Sequence, residues 1–221
     1  MANGVTTIQS KVVLDMSVSL DGIGAGPNPN EEDRMGAGGE RLHAWFPFYD
    51  PEQASTAGVP AESEAEARLV RDLFAATGAV VLGKRTFDLG LEPWGGTPFP
   101  VPCFVLTHET RDDLVTATGT FAFVTDGIER AVHRARAAAG DKDVLVMGGP
   151  TVAQEALRAE LVDEISIHVV PVLLGAGSRL FEHLGPEAIE LERIDLIASP
   201  QATHLRFRVL KSDEHLQGGG R

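Results

Sequence analysis

Residues 143–174 read DVLVMGGPTVAQEALRAELVDEISIHVVPVLL: an apolar strand pattern, a Gly-Gly-Pro turn, a helix pattern and a second strand pattern. Strand, helix and strand in succession imply parallel strands joined by a right-handed crossover, which places the chain in the α/β class. The same alternation runs upstream. KVVLDMSVS, Lys11 to Ser19, carries Val12, Leu14, Met16 and Val18 at a period of two and predicts the first strand. SEAEARLVRDLFAAT puts Ala67, Val70, Leu73 and Phe74 on one helical face, with Ser63 and Glu66 in capping-box spacing and Gly78 as the stop. AVVLG, VPCFVLT and FAFVT read as strands, KRTFDLG as a turn or brief helix, and DGIERAVHRARAAAG as a helix begun at Asp126 and ended at Gly140. Near the carboxyl end, IELERIDLIAS and ATHLRFRVLK alternate with no helix between them and predict an antiparallel hairpin at a sheet edge.

A chain of 221 residues can bury one sizeable core, and no composition break divides it. A single domain over 1–221 is expected, with its core at about 11–210 and a mobile tail at 212–221. The segment 20–60 is punctuated by Gly, Pro and Asn, and structureless stretches of such length usually serve as lids or binding loops. The net charge of −13 disfavours nucleic acid and anionic membrane surfaces as partners. Cys103 is the single cysteine, so neither an internal disulfide nor a cysteine metal cluster is expected, and no metal is assigned. With no signal-like start and no long apolar run, a cytoplasmic protein is expected.

Several short stretches bear on chemistry. In MGGPTV, Gly148 and Gly149 permit close approach to the backbone, and Pro150 suits the first helical position, where its missing amide hydrogen has no cost. The free amides and dipole of the helix that follows would face an anion at the strand's carboxyl end. The local pattern fits both a phosphate turn and a plain strand-to-helix connection; it is neither GxGxxG nor a triphosphatase loop. LGKRTFDLG brings Lys84, Arg85 and Thr86 to another strand end, as a phosphate clamp or as a solvated turn anchored by Phe87. SLDGIGAG reads as a flexible connection around Asp21, and His168 lies in an apolar run, a setting in which a histidine is more often structural than catalytic.

In this order the pieces resemble the dihydrofolate reductase superfamily, and within it the bacterial group similar to the C-terminal reductase domain of riboflavin biosynthesis. The matching stretches are MSVSLDGIGAGPN at 16–28, LGKRTFD at 82–88, FVLTH at 104–108, VLVMGGPTVAQEAL at 144–157 and DEISIHVVPVLLGAGSRLFE at 163–182. The resemblance implies a three-layer fold with a central mixed, mostly parallel sheet of about eight strands and an antiparallel C-terminal hairpin. It also implies NADPH as hydride donor. It assigns the 2′-phosphate and pyrophosphate contacts to Gly83, Lys84, Arg85 and Thr86, and the adenosine side to Thr107 and His108. The pyrophosphate turn falls on Gly148, Gly149, Pro150, Thr151 and Val152, and the nicotinamide wall and loop on Ser17, Asp21, Ile23 and Gly24.

The sequence departs from folate reductases in one respect: Leu42 stands where they carry a pterin-binding carboxylate, with Glu40 and His43 close by. Protonation of an imine nitrogen needs an acid or a relayed water, so a different group must serve here. Asp15, Asp21 and His43 are the candidate catalytic residues. The parity of Asp15 differs from that of Val12, Leu14 and Met16, so it faces either a ligand or the other side of the sheet. Trp45, Phe48, His168 and Arg179 are candidate substrate contacts, with Trp45, Phe46 and Phe48 either lining a flat pocket or anchoring the insertion.

The expected function is NADPH-dependent hydride transfer to a small heterocycle, imine or conjugated carbonyl. Reduction of a riboflavin-pathway pyrimidine ribosyl phosphate, or of dihydrofolate, is the nearest alternative. A non-catalytic nucleotide-binding or assembly module is the alternative of another class. The expected partners are a small-molecule substrate and a second copy in a homodimer.

Overall fold

The computed structural model describes residues 10–46 and 64–211, so Ser63, Phe48 and the tail at 212–221 lie outside the described residues. The elements in chain order are β1 (Val12–Ser19), β2 (Ile23–Ala25), a 3-10 helix (Gly39–His43), α1 (Glu64–Ala76), β3 (Thr77–Gly83), α2 (Lys84–Trp94), β4 (Cys103–Leu106) and β5 (Leu114–Val115). They continue with β6 (Thr120–Val124), α3 (Ile128–Ala139), β7 (Asp143–Val146), α4 (Pro150–Arg158), β8 (Glu164–Val170), β9 (Ser178–Arg179), β10 (Leu191–Ala198) and β11 (Thr203–Val209). A nine-stranded sheet in the order β10-β11-β8-β1-β7-β3-β4-β6-β5 forms the middle layer, and β2 pairs with β9 in a separate ribbon. From β8 to β6 the strands are parallel, while β11 and β10 close one edge antiparallel and β5 the other.

The two faces of β1 explain the layering. Val12, Leu14, Met16 and Val18 point into a core shared with α3 and α4, against Val144, Val146, Ala79 and Val81. Burying each such aliphatic side chain contributes about 1.5–3 kcal/mol, enough for this slab to be the main stabiliser of the sheet. On the other face Val80, Leu82, Cys103 and Val105 meet Phe87 of α2 and Phe74 of α1. Farther along this face Leu42, Trp45 and Val70 cover Val170 and Ala202. Between these apolar patches lie Asp15, Ser17 and Ser19, which therefore face the α1 side of the sheet.

Three local expectations are corrected. Gly78 does not end α1 but sits inside β3, where a Cβ would stand 2.6 Å from the Ala139 carbonyl oxygen, so the end of α3 can approach only because that side chain is missing. Asp126 does not cap α3; Gly127, at φ 89°, occupies that place. Glu66, in the first turn of α1, is 2% exposed and turned into the protein, and Ser63, its expected capping partner, lies outside the described residues. The 20–60 segment is not loop throughout, since its described part contains β2 and the 3-10 helix.

Candidate active site at the carboxyl edge of the sheet

Register sets the stage. Leu14 is level with Val146, and Val81 is level with the same residue from the other side. The turns that leave β7 and β3 therefore emerge next to one another, abreast of Asp15 to Ser17. The Gly149 amide donates to Thr86 Oγ1 at 3.0 Å and ties the two turns together. Gly148, at φ 100°, leaves no room for a Cβ, which would fall 2.6 Å from Thr86 Oγ1. Gly83 is held as closely, a Cβ there lying 2.9 Å from Val152 Cγ2.

Neither α2 nor α4 has a side-chain cap at its amino end, so the first-turn amides of Lys84, Arg85, Thr151 and Val152 remain available at one edge. Thr151 and Arg85 are exposed, and Arg85 enters no ion pair among the described residues. Lys84 is more engaged: its ammonium lies 2.7 Å from Asp88 and 3.6 Å from Glu109, and the Asp88 carboxylate holds its pKa above the ordinary lysine value. Thr107 is buried, its hydroxyl accepting from the Glu109 amide, while His108 is exposed. Two uncapped helix ends and an unpaired guanidinium suit a bridging diphosphate with a further phosphate beside it, the anionic features of NADPH.

A second group of residues lies on the α1 side of β1. The Asp15 carboxylate, 15% exposed, meets His168 Nε2 at 3.2 and 3.3 Å. His168 is fully buried, and its Nδ1 stands 2.8 Å from His204 Nδ1. His204 Nε2 in turn lies 3.5 Å from Glu66 Oε1, which accepts the Ser199 hydroxyl. Trp45 roofs the pair, its ring centroid 4.3 Å from that of His168 and 4.7 Å from that of His204, and its indole N–H donates to Ser17 Oγ at 2.9 Å. His43 joins from the 3-10 helix with a buried Nδ1 that has no hydrogen-bond partner. Burial, with the nearby His168 adding to it, pushes the His43 pKa down to about 4. His43 is thus a neutral imidazole with an unused polar atom beside Asp15.

The remaining sequence candidates take other positions. Asp21 accepts from Ser19 Oγ and from the amides of Leu174 and Gly175, and these bonds, the serine's first, hold its pKa down to about 2. Its geometry is that of a permanently charged anchor for the 174–175 turn. Arg179 donates to the Asp21 carbonyl at 2.9 Å and lies 3.6 Å from Glu182. Ile23 is buried, and Gly24 abuts Pro150 and Met16, so the β2–β9 ribbon closes over the start of α4. Leu42 is buried beneath Trp45 and Val70, and Glu40 is exposed away from the cluster.

Glu66 and His204 were not singled out by the sequence. His204 joins the group because it is directly opposite His168 across the β8–β11 ladder, a register no local pattern displays. A cleft of about 350 Å3 lies at the opposite edge of the sheet. Its cations are neutralised in place: Lys11 by Glu164, Arg136 and Lys211 by Asp163, and Arg208 by Glu192.

The strand order and the site at the carboxyl edge define a dihydrofolate reductase-like α/β protein. The chain belongs to the RibD C-terminal domain family, whose model matches residues 10–205, and this is a family of NADPH-dependent reductases. It is 24% identical over 185 residues to the uncharacterized protein YyaP of Bacillus subtilis, spanning 78% of this chain and 81% of that one. A Shewanella sp. PV-4 protein provisionally named for riboflavin biosynthesis superposes with a TM-score of 0.64 at 20% identity, over 91% of this chain and 99% of its own. Dihydrofolate reductase from Enterococcus faecalis, complexed with NADP(H), shares the fold at a TM-score of 0.53 and 13% identity, over 92% and 98% of the two chains. Among the described residues no helix is long and apolar enough to cross a membrane, and no cluster of potential metal ligands occurs.

Proposed function

We propose that this protein is an NADPH-dependent reductase of a small, unphosphorylated heterocycle, imine or conjugated carbonyl. The observation that carries the proposal is the placement of a hydrogen-bonded carboxylate, Asp15, on the strand beside the two linked, uncapped turns at 83–86 and 148–152. The bound cofactor supplies the hydride. The chain's own residues supply the rest. Amides at the starts of α2 and α4 receive the diphosphate, and Arg85 receives the phosphate that separates NADPH from NADH. Asp15 and His168 hold a proton at the edge where the acceptor lies, and Trp45 with Leu42 keeps water from the back of the site.

An unphosphorylated acceptor is favoured over a ribosyl phosphate because Arg179 is already committed to the Asp21 carbonyl and Glu182. The unpartnered His43 Nδ1 offers the acceptor a further hydrogen bond. The test is a fluorescence titration with NADPH and NADH, followed by the fall in nicotinamide absorbance over a panel of imines, enones, pterins and pyrimidines. The expected result is tighter binding of NADPH and turnover of an uncharged heterocycle or enone. Failure of both nucleotides to bind removes the proposal; binding with no turnover leaves a nucleotide-binding module.

A further inference from the structure

We infer that the buried series Asp15, His168, His204 and Glu66 stores one proton more than two neutral imidazoles and two ionised carboxylates would hold, and delivers it to Asp15. The inference rests on a count of junctions. Two hydrogen bonds and one ion-pair contact join the series: Asp15 to His168 Nε2, His168 Nδ1 to His204 Nδ1, and, at 3.5 Å from Glu66, a buried His204 Nε2 that makes no hydrogen bond. Each contact needs a hydrogen between its heavy atoms, or two lone pairs face one another out of water. Two neutral imidazoles carry only two N–H groups. Whichever tautomers they take, one junction is left with a bare nitrogen against a buried carboxylate, or with two bare nitrogens 2.8 Å apart. With His168 at 0% and His204 and Glu66 at 3% side-chain exposure, water cannot repair that junction cheaply.

The third proton can rest on any of the four groups, and two of these placements bear on delivery. In one, Asp15 and Glu66 are ionised, His168 donates from Nε2, and His204 is a cation donating from both nitrogens. In the other, Asp15 is a carboxylic acid donating to His168 Nε2, His168 donates from Nδ1 to His204, and neutral His204 donates to Glu66. Two short proton shifts along the chain interconvert them with no change in proton number. Burial lowers the His204 pKa, which disfavours the placement on that ring. The groups that face the series are His43 from the 3-10 helix, Ser17 of β1, Trp45 and Ser199. The first is neutral and the others carry no charge, so none of them supplies the missing proton.

Its use depends on the reductase reading, though its existence does not. As hydride passes from the reduced nicotinamide to the carbon of an imine or enone, the Asp15 O–H bond breaks and an N–H or C–H bond forms on the acceptor. The nicotinamide is oxidised and the acceptor reduced by two electrons. A proton from water at the open edge of Asp15 then reloads the series. His168 touches the proton donor, while His204 and Glu66 act through it as positioning residues.

The deciding experiment is NMR of the full chain without cofactor, labelled with 15N in histidine and 13C in the aspartate and glutamate carboxyls. At neutral pH the expected spectrum shows either a carboxylic-acid shift at Asp15 or Glu66 or a doubly protonated ring at His168 or His204, with a nitrogen–nitrogen coupling between the two Nδ1 atoms. Raising the pH should release the third proton in one event, with the same midpoint at Asp15, His168 and His204. In His204→Gln, whose amide satisfies both neighbours without an added proton, that midpoint at Asp15 should fall by about one unit. The pH profile of single-turnover reduction should fall with it while the NADPH Kd is unchanged. Two neutral rings facing two ionised carboxylates in the wild type would overturn the inference, and that spectrum needs no variant. So would an unmoved Asp15 midpoint in a folded His204→Gln protein. If the three-proton count is found but neither NADPH nor NADH binds, the relay stands and the reductase reading falls.

Discussion

His168 and His204 face each other through their Nδ1 atoms at 2.8 Å, across the rung where the parallel body of the sheet meets its antiparallel edge. This contact joins β8, which is parallel to β1, to β11, which begins the returning hairpin. It makes the C-terminal hairpin part of the site's chemistry, because among the described residues the contacts from Asp15 to Glu66 pass through it.

Acid should destabilise the protein through His43. Its folded pKa of about 4 lies below the ordinary 6.5, so between those values the unfolded chain binds more protons and stability rises with pH. The native state is therefore at its full advantage above pH 6.5 and loses up to about 3 kcal/mol as the pH falls to 4. Urea melts of wild type and His43→Asn across that range should differ in slope, the variant being flatter. Parallel curves would mean that His43 is not buried as a neutral ring.

The link between the two turns should be needed for both stability and binding. Thr86→Val leaves the Gly149 amide without its acceptor and should cost about 1–2 kcal/mol. Gly148→Ala combines a positive φ with a Cβ that meets Thr86, and should cost about 2–3 kcal/mol. Thermal melts give the stability, and NADPH titration should show weaker binding in both.

Arg85→Ala should separate binding from folding. Arg85 is exposed and without an ion pair, so the melting temperature should stay within a degree or so of wild type, as surface changes of this kind are worth about 0.5 kcal/mol or less. NADPH should bind about tenfold more weakly, the loss expected of one charge-assisted phosphate contact, with NADH little changed. An equal loss for both nucleotides would place Arg85 at the shared diphosphate instead.

Asp21→Asn should loosen the β2–β9 ribbon without removing proton delivery. The carboxylate anchors the Leu174 and Gly175 amides and is ionised down to about pH 2, so it contributes from its ordinary value upward and is lost only in strong acid. Hydrogen exchange at those two amides should quicken in the variant. If instead exchange is unchanged and the rate of reduction collapses with its pH profile altered, Asp21 is the acid.

Much of the fold is legible in local pattern. The period-two apolar face of β1, the glycine-bounded turns after β3 and β7, and the alternating hairpin of β10 and β11 each follow from neighbouring residues. The same holds for Asp15, whose parity already separates it from Leu14 and Met16. The local errors share one cause. Gly78 read as helix punctuation, yet its place is set by a distant group, the Ala139 carbonyl, and Glu66 likewise meets groups far along the chain, Ser199 and His204. Trp45, ambiguous in sequence between pocket wall and anchor, packs over Ser17 and the two histidines, contacts that no local pattern displays.

By itself the sequence determined the order and kind of most of the longer elements, the glycine turns after β3 and β7, and the polar parity of β1, because hydrophobic period, glycine freedom and proline's fixed φ act between residues close in the chain. Tertiary structure alone decided that Asp21 holds the Leu174 and Gly175 amides, that Arg179 meets the Asp21 carbonyl, and that Asp15 is joined to Glu66 through two histidines 36 residues apart. Those are consequences of strand register and of burial. Register fixes which distant polar groups meet, and burial makes each unmatched proton or lone pair costly enough to dictate what the group can do.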